Sequence, residues 1–250
     1  DELIKKADVC VNLVGILFEK GANTFTNIHE KFPYIISSLC KKHKLNKFIH
    51  LSALGIEKAK DSKYAMSKLN GEKAIQKNFK ESIILRPSII YSVDDNFTTM
   101  IMGLINMLPI FPLYYEGKTK FMPLHCTDIC DLIIDLIENN NSDKVIECIG
   151  PEELTFKQII QKLLKLIEKK RFLIPMPLFI ANIMATFFQV LPNPLITKDQ
   201  IKLLSYDNIP SGKYKTNIDI GKKFKRNFDI EVEKYCYMWK ETGEYARKKN

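Results

Sequence analysis

The sequence lacks a long block of like charge and lacks a nucleic-acid-binding motif, although its formal net charge is +9 over 250 residues. Its lysines are scattered along the whole chain, as in Lys41 and Lys42 or in Lys222 and Lys223. Scattered lysines are typical of a solvated surface, so a nucleic-acid partner is not predicted. Attraction of this positive charge to an anionic lipid surface or an acidic protein is the alternative interpretation.

Paired cysteines are also missing. The spacing of the six cysteines does not indicate disulfide pairs, and Cys10 and Cys148 lie in apolar runs that predict buried strands. Reduced thiols of this kind are typical of a reducing compartment, so a cytoplasmic protein is predicted. His125 stands beside Cys126 and Cys130, but no second ligand pair accompanies them. Packing thiols are therefore favoured over zinc ligands, and no metal is predicted.

Long apolar runs are rare, and the one that stands out covers residues 172–191, which carry no charge and are about as long as a bilayer span. Pro175 and Pro177 shorten the helix that this run can form, and polar side chains recur near one face of it. A helix lying on the protein or on a membrane surface is favoured over a spanning one. The segment thus predicts peripheral contact with the inner face of a membrane.

What the sequence does contain is an alternation of short apolar runs and helical patterns. Strands are predicted at residues 8–15, 47–51, 82–85 and 144–149. Helices are predicted at residues 25–44, 62–79, 94–108, 127–138, 155–169 and 231–248, with Pro33 kinking the first or delaying its start. This alternation indicates right-handed βαβ units and an α/β fold with a doubly wound, Rossmann-like parallel sheet.

The chemistry-bearing residues lie just after predicted strands and on the helix that follows. Ser52 ends the strand at 47–51, and Tyr64 and Lys68 come four residues apart on the next helix. Residues with that spacing share a helix face, so the Lys68 ammonium is expected to lower the pKa of the Tyr64 phenol. A serine, a tyrosine and a lysine arranged in this way can exchange a proton with a substrate alcohol or carbonyl. Ser52, Tyr64 and Lys68 are the candidate catalytic residues.

This arrangement resembles the short-chain dehydrogenase/reductase family, in its atypical and extended members. The resemblance implies that Asn12, Leu13, Val14 and Gly15 wall the adenine side of a nicotinamide nucleotide. It implies that Arg86, Pro87 and Ser88 hold the nicotinamide side, and that Tyr64 and Lys68 also bind the cofactor. The expected cofactor is NAD(P)H, with NADP favoured by the resemblance.

A narrower resemblance covers residues 8–208. The order of KFIHLSALG, SKYAMSKLNGEKAI, IILRPSIIY and LPNPLITKDQIKLL is similar to the 39 kDa accessory subunit family of respiratory complex I, above all its bacterial members. The glycine-rich turn that receives the pyrophosphate is absent. In this fold it precedes residue 1, so the chain is expected to lack the first βα units. Residues 1–150 are then a partial NAD(P)-binding domain interleaved with lobe segments, and residues 151–250 a small helical lobe.

Two functions follow from the resemblance. One is a nucleotide-holding subunit that docks on respiratory complex I or a related membrane-associated assembly. The other is an active NAD(P)-dependent oxidoreductase or epimerase-like enzyme that acts on an apolar alcohol or ketone, with the nicotinamide carrying the hydride.

Overall fold

A parallel β-sheet lies at the centre of the computed structural model, which describes residues 1–189, 191 and 194–245. The strands are β1 Val9–Asn12, β2 Lys47–Leu51, β3 Ser82–Pro87, β4 Ile90–Tyr91, β5 Ile110–Leu113, β6 Lys120–Phe121, β7 Leu124–His125, β8 Val145–Cys148, β9 Leu154–Thr155, β10 Phe172–Pro175 and β11 Lys215–Thr216. The α-helices are α1 Glu2–Lys5, α2 Phe32–Lys42, α3 Lys63–Asn78, α4 Thr98–Met107, α5 Cys126–Glu138, α6 Phe156–Leu166, α7 Leu178–Phe188, α8 Lys198–Leu203 and α9 Phe228–Cys236. Short segments of other helix types occupy Thr26–Lys31, Tyr114–Gly117 and Tyr237–Trp239.

The main sheet has the strand order β1-β2-β3-β8-β11, and every neighbouring pair in it is parallel. Asn12 pairs with His50, and Leu51 pairs with Leu85. Because the strands are parallel, their carboxyl ends meet at one edge, and ligands of open α/β sheets bind beyond that edge. The register therefore places the residues that follow β1, β2 and β3 beside one another.

Helices cover both faces of this sheet, so the predicted doubly wound α/β fold is confirmed. One face packs on α2 and α3, through a core that contains Cys40, Phe48, Ile75, Phe79 and Ile84. The other face packs on α5, through a core that contains Ile49, Leu85, Ile129, Leu132 and Ile146. Apolar side chains alternate between the faces along β2 and β3, as period-two strands require.

A second core forms the lobe. It joins α4, β5, α6 and α9 around side chains that include Ile105, Phe111, Ile160, Phe228 and Trp239. The chain crosses between this lobe and the sheet domain in both directions, because α4 and β5 come before residue 150 and β11 returns to pair with β8. The sheet thus takes a strand from the segment predicted as the lobe.

The boundaries of the predicted elements differ where tertiary packing intervenes. The helix predicted at 25–44 is a π-helix at Thr26–Lys31 continued by α2, in which Pro33 lies in the first turn. The terminal helix predicted at 231–248 begins earlier, at Phe228, because Phe228 and Val232 pack into the lobe core. It ends at Cys236 and is followed by a 3₁₀ turn, and residues 246–250 lie outside the described residues.

The apolar run at 172–191 divides into strand β10 and helix α7, which begins directly after Pro177. Val190 in this run lies outside the described residues. Among the residues that the structure describes, none of the helices has both the length and the apolar character needed to cross a bilayer.

Candidate functional site

The turn after β1 forms one wall of the candidate site. Asn12 is buried, its side-chain oxygen accepts a hydrogen bond from the Val14 N–H at 3.1 Å, and its amide nitrogen lies 3.0 Å from Nδ1 of His50. These contacts fix the loop that follows, in which Leu13 and Val14 are exposed. The buried Asn12 side chain therefore holds the loop in its conformation through these two contacts, and Leu13 and Val14 form an apolar surface at the sheet edge.

The Lys68 side chain lies between the ends of β1 and β2. Its side chain is 5% exposed, and its Nζ donates a hydrogen bond to the Leu51 carbonyl at 3.1 Å. A Cβ added at Gly15 would lie 3.1 Å from that Nζ, so glycine allows the ammonium to approach the β1 loop. Burial lowers the pKa of Lys68 to about 8, and the Glu72 carboxylate opposes that shift. The structure thus places Lys68 at the edge where the sequence predicts a nucleotide.

Tyr64 lies on the same helix, but its environment differs from the expected one. Its ring is partly buried and packs edge-on against Phe25 and His29, with centroids 5.9 and 5.3 Å away. Burial raises the pKa of Tyr64 to about 12. The expectation that Lys68 lowers this pKa is wrong for the protein in this state, because the ammonium is directed to Leu51 and desolvation of the phenol dominates.

Ser52 follows β2 and has an unusual hydroxyl. Its backbone N–H donates to the Leu85 carbonyl at 2.7 Å, which continues the parallel ladder. Its side-chain oxygen is buried and has no hydrogen-bond partner among the described residues. Leaving a buried hydroxyl without a partner costs about 1–3 kcal/mol, so such groups mark strained or ligand-binding positions. The Ser52 hydroxyl, which lacks a partner, and the close approach of Lys68 to Gly15 are consistent with a polar ligand at this edge.

Arg86 and Ser88 are engaged by the protein itself. The buried Arg86 guanidinium pairs with Glu72 at 2.6 Å and Glu57 at 3.2 Å, and it lies 4.6 Å from the centre of the Tyr214 ring. Ser88 donates to the Asn208 side-chain oxygen at 2.6 Å and accepts from the Met122 N–H at 3.1 Å. The side chains of both residues hold the domain together.

Pro87 lies at the end of β3, where its carbonyl accepts a hydrogen bond from the Leu54 N–H at 2.9 Å. The nicotinamide-binding role predicted for Arg86, Pro87 and Ser88 stays a prediction.

His29 is a residue of this site that sequence reasoning missed. Its Nε2 accepts a hydrogen bond from the Ile16 N–H at 3.0 Å, and its Nδ1 lies 2.9 Å from the Ser67 hydroxyl. The backbone approaches α3 so closely that a Cβ at Gly71 would lie 1.9 Å from the His29 carbonyl oxygen. His29 lies in the π-helix, a form that often marks functional sites. It links the β1 loop to the helix that carries Tyr64.

Asp199 is a second missed residue. Its carboxylate accepts hydrogen bonds from the Ser62 hydroxyl and from the N–H groups of Lys63 and Tyr64, at 2.8 to 2.9 Å. A carboxylate at a helix N-terminus satisfies orphan donors and interacts favourably with the helix dipole. Asp199 thus fixes the start of α3 from α8. No local pattern could reveal this, since 135 residues separate Asp199 from Tyr64.

Comparison with known proteins places the chain near two groups. No protein-family profile matches it. It is 25% identical over 209 residues to the mouse protein "NADH dehydrogenase [ubiquinone] 1 alpha subcomplex subunit 9, mitochondrial", covering 82% of this chain and 55% of that one. It is 22% identical over 223 residues to the Neurospora crassa "NADH-ubiquinone oxidoreductase 40 kDa subunit, mitochondrial", covering 88% and 58%. The chain therefore spans little more than half the length of these relatives.

Among solved structures, the Bacillus cereus UDP-glucuronic acid 4-epimerase in complex with UDP-glucuronic acid and NAD superposes with a TM-score of 0.66 at 19% identity, covering 94% of this chain and 77% of that one. The Bacillus anthracis dTDP-glucose 4,6-dehydratase in complex with NAD superposes with a TM-score of 0.67 at 17% identity, covering 98% and 77%. These likenesses show the fold. The predicted resemblance to the dehydrogenase/reductase fold and to the complex I subunits is confirmed, and the special likeness to bacterial members stays a prediction.

Proposed function

We propose that this chain, which is similar in sequence to subunits of respiratory complex I and in fold to NAD-binding epimerases and dehydratases, holds a nicotinamide nucleotide as an accessory subunit of such a complex. The observation that carries the proposal is the meeting of Gly15, Ser52 and Lys68 at the carboxyl ends of β1 and β2. A site there needs a cation, a close backbone approach and an unsatisfied donor, and these three residues supply them.

Each residue has a distinct part in the proposal. Lys68 would hold the ribose of NAD(P)H, and Asn12 would keep the β1 loop in the shape that receives the nucleotide. Leu13 and Val14 would cover the adenine side. A bound nicotinamide supplies hydride chemistry. The preference for NADP over NAD is part of the proposal and rests on the family resemblance alone.

The raised pKa of Tyr64 supports the holding role over turnover. Burial raises the pKa of Tyr64 to about 12, so the phenol is protonated at neutral pH and is a weak general base. In the alternative, an oxidoreductase or epimerase-like enzyme acting on an apolar alcohol or ketone, Tyr64 would serve as the acid and Ser52 would orient the substrate oxygen. The orphaned hydroxyl of Ser52 is the observation that favours this alternative.

The test is the nucleotide content of the purified complete gene product. We expect reduced nicotinamide to co-purify, to stay bound on dilution and to resist oxidation by carbonyl substrates and quinones. Gly15→Val should cut nucleotide affinity tenfold or more, since its side chain displaces the Lys68 ammonium. Gly103→Ala, within helix α4, is the control, because a Cβ there would lie 4.0 Å from its nearest neighbour, Trp239 Nε1, which is an ordinary contact.

Tyr64→Phe separates the two functions. For a holding subunit, this variant should keep both its nucleotide and its place in the complex. For an enzyme, it should keep the nucleotide and lose turnover. Equal nucleotide affinity in wild type and Gly15→Val would overturn the proposed site, and a cofactor that is freely consumed by substrate would establish the alternative.

A further inference from the structure

Helix α7 is oriented with its large apolar side chains outward. It buries two small residues, Ala181 and Ala185, which pack with Tyr114 and Ile201. Phe179 is 76% exposed and Phe187 is 71% exposed. A surface helix ordinarily turns its largest apolar side chains toward the core, so this arrangement requires an explanation other than folding.

The exposed surface extends beyond α7. Strand β10 exposes Phe172 and Ile174, and its partner strand β5 exposes Ile110 at the position that pairs with Phe172. Both β10 and α7 pack on the turn at Tyr114–Gly117, which brings their exposed apolar side chains into one region of the lobe. We call it the apolar face: Ile110, Phe172, Ile174, Phe179, Ile183 and Phe187. Contiguous exposed apolar patches of this kind mark sites of interaction with proteins or membranes.

The polar side chains of α7 are satisfied by the helix itself. The Asn182 amide donates to the Leu178 carbonyl at 2.9 Å, and the Thr186 hydroxyl donates to the Asn182 carbonyl at 2.7 Å. Back-bonding to the preceding turn satisfies these donors without water. The face can therefore leave water with a smaller loss of hydrogen bonds than a helix whose polar groups point outward.

Cations stand at both ends of the apolar face. Lys170 and Arg171 directly precede Phe172, and Lys198 lies near the end of α7, where its N–H donates to the Gln189 side-chain oxygen at 3.3 Å. No acidic residue occurs between residues 172 and 198. The first one after this stretch, Asp199, is bonded to the start of α3. Apolar side chains flanked by cations are the combination that binds an anionic lipid surface.

We propose that the apolar face lies on a membrane surface rich in anionic lipid, with Phe172, Phe179 and Phe187 in the headgroup region. The protein would then be peripheral and would contact one leaflet. The proposal does not depend on the nucleotide, because none of the face's residues belongs to the edge that carries Gly15, Ser52 and Lys68. Membrane contact would explain why α7 buries its alanines and exposes Phe179 and Phe187.

The test is co-sedimentation of the full chain with vesicles of phosphatidylcholine alone or mixed with phosphatidylserine. We expect strong binding to the mixed vesicles and weak binding to phosphatidylcholine alone. Phe179→Ser with Phe187→Ser should lower the partition coefficient about tenfold for each residue. Leu3→Ser with Ile134→Ser is the matched control, since both residues are exposed on α1 and α5, outside the lobe, and should leave binding unchanged.

The cationic part is tested separately. Lys170→Gln with Lys198→Gln should weaken binding to the phosphatidylserine vesicles about fivefold for each residue. Lys41→Gln with Lys77→Gln, exposed on α2 and α3, should have a smaller effect. Thermal denaturation checks that every variant is folded.

Three outcomes would overturn the proposal. The first is no binding of the wild type to either vesicle, and the second is equal binding by the phenylalanine variant and its control. The third is a wild-type dimer in dilute solution that Phe179→Ser with Phe187→Ser dissociates, which would assign the face to a second copy of the chain.

Discussion

Helices α3 and α7 depart from the usual distribution of side chains in opposite directions. Helix α3 is polar in composition, yet it buries Ser67, Lys68 and Glu72. Helix α7 has no charged residue, yet Ala181 and Ala185 are the side chains that it buries. Burying a charge costs folding free energy, and an exposed phenylalanine forgoes the stabilisation that its burial would give.

The two helices differ in whether their unusual side chains have partners within the protein. The buried polar groups of α3 meet partners across the sheet edge, in Leu51, Arg86 and the His29 imidazole. The exposed side chains of α7 meet nothing within the described residues of the chain that would cover them. Departures from local rules of this kind are expected where a functional demand competes with folding, and so they support the two proposals made above.

The largest effect is expected from breaking the buried ion pair of α3. Glu72→Gln removes the main partner of Arg86, which donates to Glu72 through Nε at 3.0 Å and Nη2 at 2.6 Å. We expect the free energy of unfolding to fall by about 3–5 kcal/mol, since a buried guanidinium loses its countercharge. Urea denaturation measures this loss.

The matched control for Glu72→Gln is Glu81→Gln, at the exposed pair with Lys144. It should leave the urea midpoint unchanged, because exposed ion pairs contribute little. A loss below about 1 kcal/mol in Glu72→Gln would mean that Glu57 and the Tyr214 ring suffice to hold Arg86.

A medium effect is expected from α7, and it should come from its smallest side chains. Ala185→Leu adds three carbons where Ala185 is fully buried against the Tyr114 cluster, so unfolding free energy should fall by about 1–3 kcal/mol. Phe187→Ser, on the exposed side, should stay within about 0.5 kcal/mol of the wild type. Thermal denaturation of both variants measures the contrast. A large loss in Phe187→Ser would show that its side chain packs on the protein in solution.

The smallest effect is expected from lowering the pH, which acts through His29, the histidine whose ring contacts Ser67 of α3. Burial, with the Lys68 charge adding to it, lowers the pKa of His29 to about 3, whereas an unfolded histidine has a pKa of about 6.5. The unfolded state therefore binds more protons between these values, so His29 stabilises the fold above pH 6.5 and this stabilisation is lost as pH falls.

Between pH 7 and pH 5 the part of the loss due to His29 should be about 1–2 kcal/mol, measured by urea denaturation at both values as the difference between the wild type and His29→Gln. His29→Gln should remove this part of the pH dependence, and Phe187→Ser should retain it. An unchanged slope in His29→Gln would show that other groups, such as the buried His50, control it.

Local signals predicted much of the framework. Strand β2 has the predicted bounds, and α3 runs from its N-cap at Ser62 to its C-cap at Phe79, as its periodicity indicated. The Ser62 hydroxyl accepts from the Ala65 N–H, which is a contact made within one turn. Signals of this range lie within a few residues of each other, and so they can be read from the chain itself.

Contacts between distant residues could not be predicted. The sequence indicated that Tyr64 and Lys68 share a face, but it could not show that Lys68 reaches Leu51 or that Tyr64 packs on Phe25 and His29. The expected lowering of the Tyr64 pKa was wrong for that reason. Desolvation depends on every atom around the phenol, and most of those atoms come from other elements of the fold.

The sequence by itself determined four of the five strands of the main sheet, with the helices that follow β1 and β2, and hence the sheet edge at which Ser52 and Lys68 lie. Hydrophobic periodicity and capping encode these features locally. Only the tertiary structure decided that Arg86 turns to Glu72 and Glu57, that His29 joins the site, and that α7 presents its phenylalanines outward. Burial and electrostatic partners are properties of the packed chain, since they depend on groups that the fold brings together from afar.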